Sequence, residues 1–282
     1  MVQQSRLLLR VVPILIAVIV VAFQWFGSEK FTNEAGRSVR LSLSREQESA
    51  LGVEAYQEVL SSSPLIRSGP AYEMVRRCAA RLAQATGDSG RGFQWEVSLI
   101  QSDQINAFCL PGGKIAVYTG ILEVAGSEGG LAVVMGHEMA HATLRHGSER
   151  LLQQKAANTI MTGVNFSTMD MDYGQRRLVL GALGAGAQVG FLLPFSRDHE
   201  SEADEVGLRY MAIAGYDPRE AVPFWERMGA ASSGRKQPEF ASTHPSHETR
   251  IQRLKAELPA ALELYQRHAK GNVPLERESP RR

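Results

Sequence analysis

A mostly helical α+β fold with one small antiparallel sheet is what this sequence predicts, and three observations predict it. From Gly129 nearly to the C-terminus apolar residues keep helical spacing, interrupted at Gly147, Pro194, Gly215 and His244-Pro245. Strand alternation is confined to one window, first at Phe93, Trp95, Val97 and Leu99, then over Ile105 to Leu110 and Lys114 to Thr119. Pro111-Gly112-Gly113 joins the last two runs as a hairpin turn. With 282 residues, 44% of them apolar, the chain can bury a core without disulfide staples, and it shows no internal repeat.

The first element is an unbroken apolar run from Val11 to Phe23, extended by Trp25 and Phe26. The exit reads Phe23-Gln24-Trp25-Phe26-Gly27-Ser28, bulky where the small A-x-A residues of a cleavage site should stand, so the run reads as an uncleaved signal anchor. The N-terminus is expected inside and the mass that follows outside the membrane, because long domains translocate largely regardless of flanking charge. Ser44-Arg45-Glu46-Gln47 has the form of a capping box and opens a helix to about Leu60. A second helix starts at Pro70 and stops at Gly87, with Val75, Cys78, Ala79 and Leu82 on one face, which makes Cys78 a packed apolar residue. The apolar, glycine-containing stretch Leu178 to Pro194 is expected to be a buried helix whose small residues allow close packing; membrane dipping is the alternative. Asp217-Pro218 supplies an N-cap and first helical position for a late helix.

Charge excludes one class of function. The chain has 31 basic and 30 acidic residues, so no global basic field exists to hold nucleic acid. The two cysteines, Cys78 and Cys109, are too few for a cysteine zinc finger, although they could pair in an oxidising compartment.

Chemistry concentrates in His137-Glu138-Met139-Ala140-His141. Residues four apart stack on one helix face, so the two imidazoles reach one cation while Glu138 lies beside it. With 7 histidines in the chain, residue frequencies make a chance match about a one-in-seventy event. The motif follows Leu131-Ala132-Val133-Val134-Met135, and histidines buried there need partners. A catalytic zinc takes three protein ligands and keeps one position open. A metzincin register is excluded, because Leu144 and Gly147 stand where Gly and His would be required. His146 lies about 140° from His141 round a helix, so it reads as structural or as a partner of the helix C-terminus. Further candidates lie in Ser196 to Asp204: Glu200 and Asp204 share a face, Glu202 points away, and His199 reads as a surface residue. That spacing suits one carboxylate ligand and one carboxylate that receives an imidazole N–H.

Together, His137-Glu138-x-x-His141 and Glu200-x-x-Ala203-Asp204 resemble the HtpX-like and BepA-like zinc metallopeptidases, relatives of the CAAX prenyl endopeptidase and of the mitochondrial Oma-type proteases, in peptidase family 48 of the metallo class. Asn106 to Gly113, Arg145-His146-Gly147 and Thr243-His244-Pro245 with Arg250-Ile251 resemble further motifs of that family, over roughly residues 44–256. The chain departs from the pattern in carrying Cys109 where a small aliphatic residue is usual, and in one clear span where some members have several. The resemblance implies a gluzincin-type domain with one zinc per chain, with Glu200 as third ligand and Asp204 beside it. It further implies that His244 is either a donor to the oxyanion or an occupant of the open position, the local alternative being a helix N-terminal contact. Arg250 is expected to pair with a carboxylate of the zinc shell.

The expected chemistry is hydrolysis of peptide bonds, with Glu138 as general base. Extended peptides are expected to add as a strand along Lys114, Ile115, Ala116, Val117 and Tyr118, just upstream of the zinc helix. Peptides or misfolded envelope proteins are the substrates the resemblance implies, in a minimal single-span form at the cell inner membrane with the catalytic domain in the periplasm. A non-proteolytic chaperone or interaction module with a structural zinc is the alternative; Glu138, useless in a closed structural site, favours the enzyme. The expected organisation is a cytoplasmic N-terminus at 1–10, an anchor at 11–27, a linker at 28–43, a metallopeptidase domain at 44–260 and a charged tail at 261–282.

Overall fold

A computed structural model describes the backbone of residues 2–187, 193–232, 239–240, 244 and 249–271, with side chains for 10–184, 197–232, 239–240, 244 and 249–268. In chain order the first elements are α1 (Val2–Phe26), β1 (Glu29–Thr32), β2 (Ser38–Leu41), α2 (Arg45–Ser61), β3 (Leu65–Ile66), α3 (Pro70–Ala85), β4 (Glu96–Ile100), β5 (Ala107–Leu110) and β6 (Lys114–Tyr118). Then follow α4 (Thr119–Ala125), α5 (Glu128–Thr143), α6 (His146–Ser167), α7 (Tyr173–Ala187), α8 (Leu193–Ile213), a 3₁₀ turn (Pro218–Glu220), α9 (Ala221–Ser232) and α10 (Arg250–Gly271). The chain divides into two compact units, one of Met1–Ala50 with Leu144–Glu200 and one of Leu51–Thr143 with Ser201–Arg282, so the boundary cuts through the 44–260 stretch.

In the first unit α1 packs along α6, and β1 and β2 form an antiparallel hairpin. Ser44 caps α2 reciprocally: Gln47 N–H donates to Ser44 Oγ at 3.3 Å, and Ser44 N–H donates to Gln47 Oε1 at 3.0 Å. The break between α5 and α6 falls at Arg145, not at Gly147. Arg145 adopts φ 61, a left-handed conformation costly to a residue with a Cβ. Its buried guanidinium compensates by donating to Glu48 Oε2 (3.0 Å), Glu29 Oε1 (3.1 Å) and the Leu43 carbonyl (2.8 Å). Gly147 lies inside α6. The expectation of a buried helix after Leu178 also needs correction in its described part: α7 exposes Tyr173, Leu178 and Leu183, and a Cβ at Gly181 or Gly184 would meet nothing within 4 Å. Among the described residues no helix is long and apolar enough to cross a membrane. Within α1, Leu15, Ile16, Val18, Ile19 and Phe23 are nonetheless exposed.

The second unit is built round a four-stranded sheet in the order β3-β4-β6-β5. β3 pairs antiparallel with β4, β4 pairs parallel with β6, and β6 pairs antiparallel with β5. Gly112 and Gly113, at φ 81 and 90, turn the β5–β6 hairpin as the sequence predicts. Tyr56 of α2 fastens the sheet by donating to Ser98 Oγ at 2.8 Å. β6 is central, so both its edges are already paired. Strand addition along Lys114 to Tyr118 is therefore ruled out by topology, and Lys114 instead donates to the Gln94 carbonyl and to Glu96, each at 3.0 Å. Helix α5 is buried round nearly its whole circumference, against β5, α3, α4 and α9. Cys78 and Cys109 are both free thiols.

Candidate metal centre

A helix buried on all sides cannot be amphipathic, and the polar residues it does carry must find partners inside the protein. In α5 those residues are His137, 2% exposed, Glu138, 4% exposed, and the half-buried His141. Their surroundings depend on a crossing of α5 with α8 at which backbones touch. A Cβ on Gly207 would stand 2.8 Å from His137 N and 2.9 Å from Gly136 C, so only glycine fits. Thr143 and Tyr210 lock the same pair of helices through a buried 2.8 Å hydrogen bond.

This crossing places Asp204 over His137, with Nδ1 and Oδ1 2.9 Å apart. Burial raises the Asp204 pKa, but Arg250 and His137 outweigh it and hold the carboxyl below its usual value, so it is ionised and can only accept. The proton therefore sits on His137 Nδ1, and Nε2 presents its lone pair. Arg250 forks onto the same carboxylate, Nε to Oδ2 at 2.7 Å and Nη2 to Oδ1 at 2.9 Å, and lies 3.6 Å over the Trp225 ring.

Three imidazoles converge on the far side of His137. His141 Nε2 lies 3.1 Å from His137 Nε2, and His244 Nδ1 lies 3.3 Å from it. One donor atom from each of His137, His141, Glu200 and His244 falls within 4.8 Å of the others. Ligands on a tetrahedral zinc, at about 2.0–2.1 Å from it, stand about 3.3 Å apart. Two imidazole nitrogens and a carboxylate at such spacing, one tautomer already fixed by Asp204, form a donor set that fits a divalent cation. His244 also turns Nε2 toward Glu138 Oε1 at 3.4 Å. It thus reaches a donor nitrogen with one side of its ring and the carboxylate of Glu138 with the other.

The structure thus brings together His137, Glu138, His141, Asp204, His244 and Arg250, with Glu200 one helical turn before Asp204 on α8, while Lys114 to Tyr118 lie in the sheet interior. Sequence reasoning missed the aromatic packing round the imidazoles. The Trp225 ring meets His137 edge to face at 5.6 Å, and Phe240 stacks on His244 at 4.6 Å. Neither residue carries a motif. It also misplaced His199. Instead of facing solvent, His199 is buried in the first unit, stacked on His146 at 4.2 Å and bonded to Glu149 Oε2 at 2.9 Å. His146 opens α6, so it has no helix C-terminus to serve, and burial above all holds its imidazole well below the ordinary pKa. Glu149 is further gripped by Arg37 at 2.6 and 2.7 Å. Burial raises the Glu149 pKa, but His199 and Arg37 together bring it down to about 2.

Over residues 71–258 the chain matches the model of peptidase family M48. It is 37% identical over 219 residues to the mitochondrial metalloendopeptidase OMA1 of Schizosaccharomyces pombe, an alignment covering 76% of this chain and 62% of that protein. Against the mitochondrial metalloendopeptidase OMA1 of Homo sapiens it is 33% identical over 258 residues, 87% of this chain and 48% of the relative. The beta-barrel assembly-enhancing protease of Yersinia pestis is 29% identical over 222 residues, covering 77% and 45%. The chain spans about half to three fifths of the length of these curated relatives.

Proposed function

The chain belongs to peptidase family M48, and from that premise we propose that it is a zinc-dependent endopeptidase in which His137, His141 and Glu200 hold the metal and Glu138 is the general base. The observation that carries this reading is the facing pair of Nε2 atoms, 3.1 Å apart, with the proton of His137 held on Nδ1, which donates to Asp204. When bound, zinc supplies a Lewis acid and brings the pKa of water down to about 7. Glu138 accepts the proton of the attacking water and returns it to the leaving nitrogen. Asp204, clamped by Arg250, keeps His137 in the ligating tautomer and in one ring orientation. Substrate peptide runs along β5, the edge of the sheet that β6 leaves open, rather than along β6 itself.

His244 supports a latent state. Its Nδ1 stands among the donors while its Nε2 meets Glu138, so in this arrangement both the open position and the base are covered. Were zinc held by His137, His141 and Glu200, displacement of His244 by substrate would leave the fourth position free for chemistry. The reading of a closed structural zinc requires His244 to stay in place with peptide present. Helix α1, with its exposed aliphatic face, anchors the protein in a membrane, and misfolded or damaged envelope proteins are its substrates. Metal analysis of the purified chain, paired with cleavage of a denatured protein with and without chelator, tests the reading. One zinc per chain and chelator-sensitive cleavage restored by zinc are expected; zinc-loaded protein that cleaves nothing, with His244 replaced as well as intact, would leave the structural role.

A further inference from the structure

A chain of polar contacts in the first unit runs from the β1–β2 hairpin to the residue before a candidate ligand. The hairpin turn holds Arg37 by its backbone: its N–H donates to Asn33 Oδ1 at 2.9 Å, its carbonyl accepts from Asn33 N–H at 3.0 Å, and Gly36 adopts φ 83 between them. From that fixed base the guanidinium forks onto Glu149 at 2.6 and 2.7 Å. Glu149 is held from its own side as well, because Ser148 ties the first turn of α6 to the chain leaving β2. Ser148 Oγ accepts from Leu43 N–H at 3.1 Å, and the Ser148 carbonyl accepts from Ser42 Oγ at 3.2 Å. Glu149 Oε2 in turn stands 2.9 Å from His199 Nε2, and an ionised carboxylate can only accept, so His199 donates. His146 lies flat on His199, with 4.2 Å between ring centroids and 13° between planes, which resists tilting of the ring. His199 and Glu200 are consecutive on α8, and the first unit ends with them.

The roll of α8 about its own axis decides where Glu200 aims. Side-chain atoms stand about 5–6 Å from a helix axis, so a roll of about 10° carries a carboxylate about 1 Å. A metal site tolerates about 0.2 Å. A ring locked one residue before Glu200, with a forked ion pair behind it, opposes such a roll. Stability alone does not call for this construction, since buried charges are costly to desolvate and apolar side chains of similar volume commonly serve as well. What a carboxylate gripped by two donors adds is a fixed direction.

We propose that Arg37, Glu149 and His199 are positioning residues for the metal: Arg37 and Glu149 hold His199, and His199 sets the roll of α8 that aims Glu200. They act through Glu200 and are not themselves ligands. The β1–β2 hairpin, far from the zinc helix in sequence, thereby contributes to metal affinity. The proposal rests on the reading of Glu200 as a ligand.

Zinc competition against a chromophoric chelator, paired with a denaturant melt of the metal-free protein, tests it on variants of the full chain. The double change Arg37→Met with Glu149→Leu removes both charges together, so the melting midpoint is expected to stay close to wild type. Zinc affinity is expected to fall about 10-fold, the lower end of what losing support behind a ligand costs. His199→Gln, whose amide N–H can still reach Glu149, is expected to bind zinc as the wild type does, and His199→Leu to lose about 10-fold. Glu200→Gln is expected to bind zinc more weakly than any of these. If Glu200→Gln weakens zinc while the double variant and His199→Leu bind it normally, the network is only structural: the proposal is overturned and the metal site stands. If Glu200→Gln binds zinc with wild-type affinity, the ligand assignment falls and takes the proposal with it. Equal affinity in His199→Gln and His199→Leu, whether normal or reduced, also overturns the proposal, and decides it even where the double variant fails to fold.

Discussion

Replacing Gly207 with alanine adds a single methyl group where α5 and α8 touch, well away from the reacting atoms. The added Cβ would stand 2.8 Å from His137 N, whereas ordinary contact begins near 3.4 Å, so the helices must part by about 0.6 Å. Carried to the 2.9 Å bond between His137 Nδ1 and Asp204 Oδ1, that displacement gives about 3.5 Å, where an N–H···O hydrogen bond is effectively lost. Overpacking of this kind costs about 1–3 kcal/mol of stability, and losing the carboxylate that orients a ligating imidazole costs about 10- to 100-fold in metal affinity or activity. Denaturant melts, zinc competition against a chelator and kcat/KM on a peptide substrate measure the two effects separately. Gly229→Ala, whose Cβ would meet nothing within 4 Å of α9, is the control and is expected to stabilise by about 0.5–1 kcal/mol. A Gly207→Ala protein with unchanged stability and zinc affinity would refute the claim that the backbone contact positions the site.

Other outcomes follow from the same geometry. The Glu149 pKa of about 2 lies below the ordinary 4.5, so its contribution to stability is complete above about pH 4.5 and disappears as pH falls through about 2. The gap is worth about 3 kcal/mol: Glu149→Gln should be less stable by that order at pH 7, and unfolding curves of the two proteins should converge in strong acid. Arg145→Ala strands buried Glu48 and should cost about 3–5 kcal/mol in a denaturant melt. A loss below 1 kcal/mol would show that the left-handed residue is not held by its ion pairs. Tyr56→Phe removes the bonds to Ser98 and the Ile115 carbonyl and should cost about 1 kcal/mol. His244→Ala should raise basal cleavage if the ring covers the site in the resting state; a fall in kcat with KM unchanged would favour an oxyanion donor.

What the sequence revealed and what it hid divide along the range of the interactions. The Ser44 capping box, the Pro111-Gly112-Gly113 turn and the Asp217-Pro218 start are local chemistry, and each stands where the sequence puts it. The spacing of His137 and His141 and that of Glu200 and Asp204 are helix periodicity, legible before any tertiary contact is known. Strand order is not local, which is why β6 read as an available edge although it lies between β4 and β5. Arg145 in the left-handed region could not be foreseen beside a glycine two residues on, because its compensation comes from Glu29 and Glu48, about a hundred residues away. His199 likewise reads as surface until Glu149 and His146 are brought against it. The glycine contact between α5 and α8 leaves no mark on hydrophobic periodicity, since Gly136 and Gly207 register only as absent side chains.

The role of Glu138 is tested most directly by the isosteric change Glu138→Gln, measured for zinc content and peptide cleavage on one preparation. The account predicts one zinc per chain and no detectable turnover, because the ligands are untouched and the proton acceptor is gone. Cleavage at the wild-type rate, or loss of zinc with the carboxylate, would contradict it.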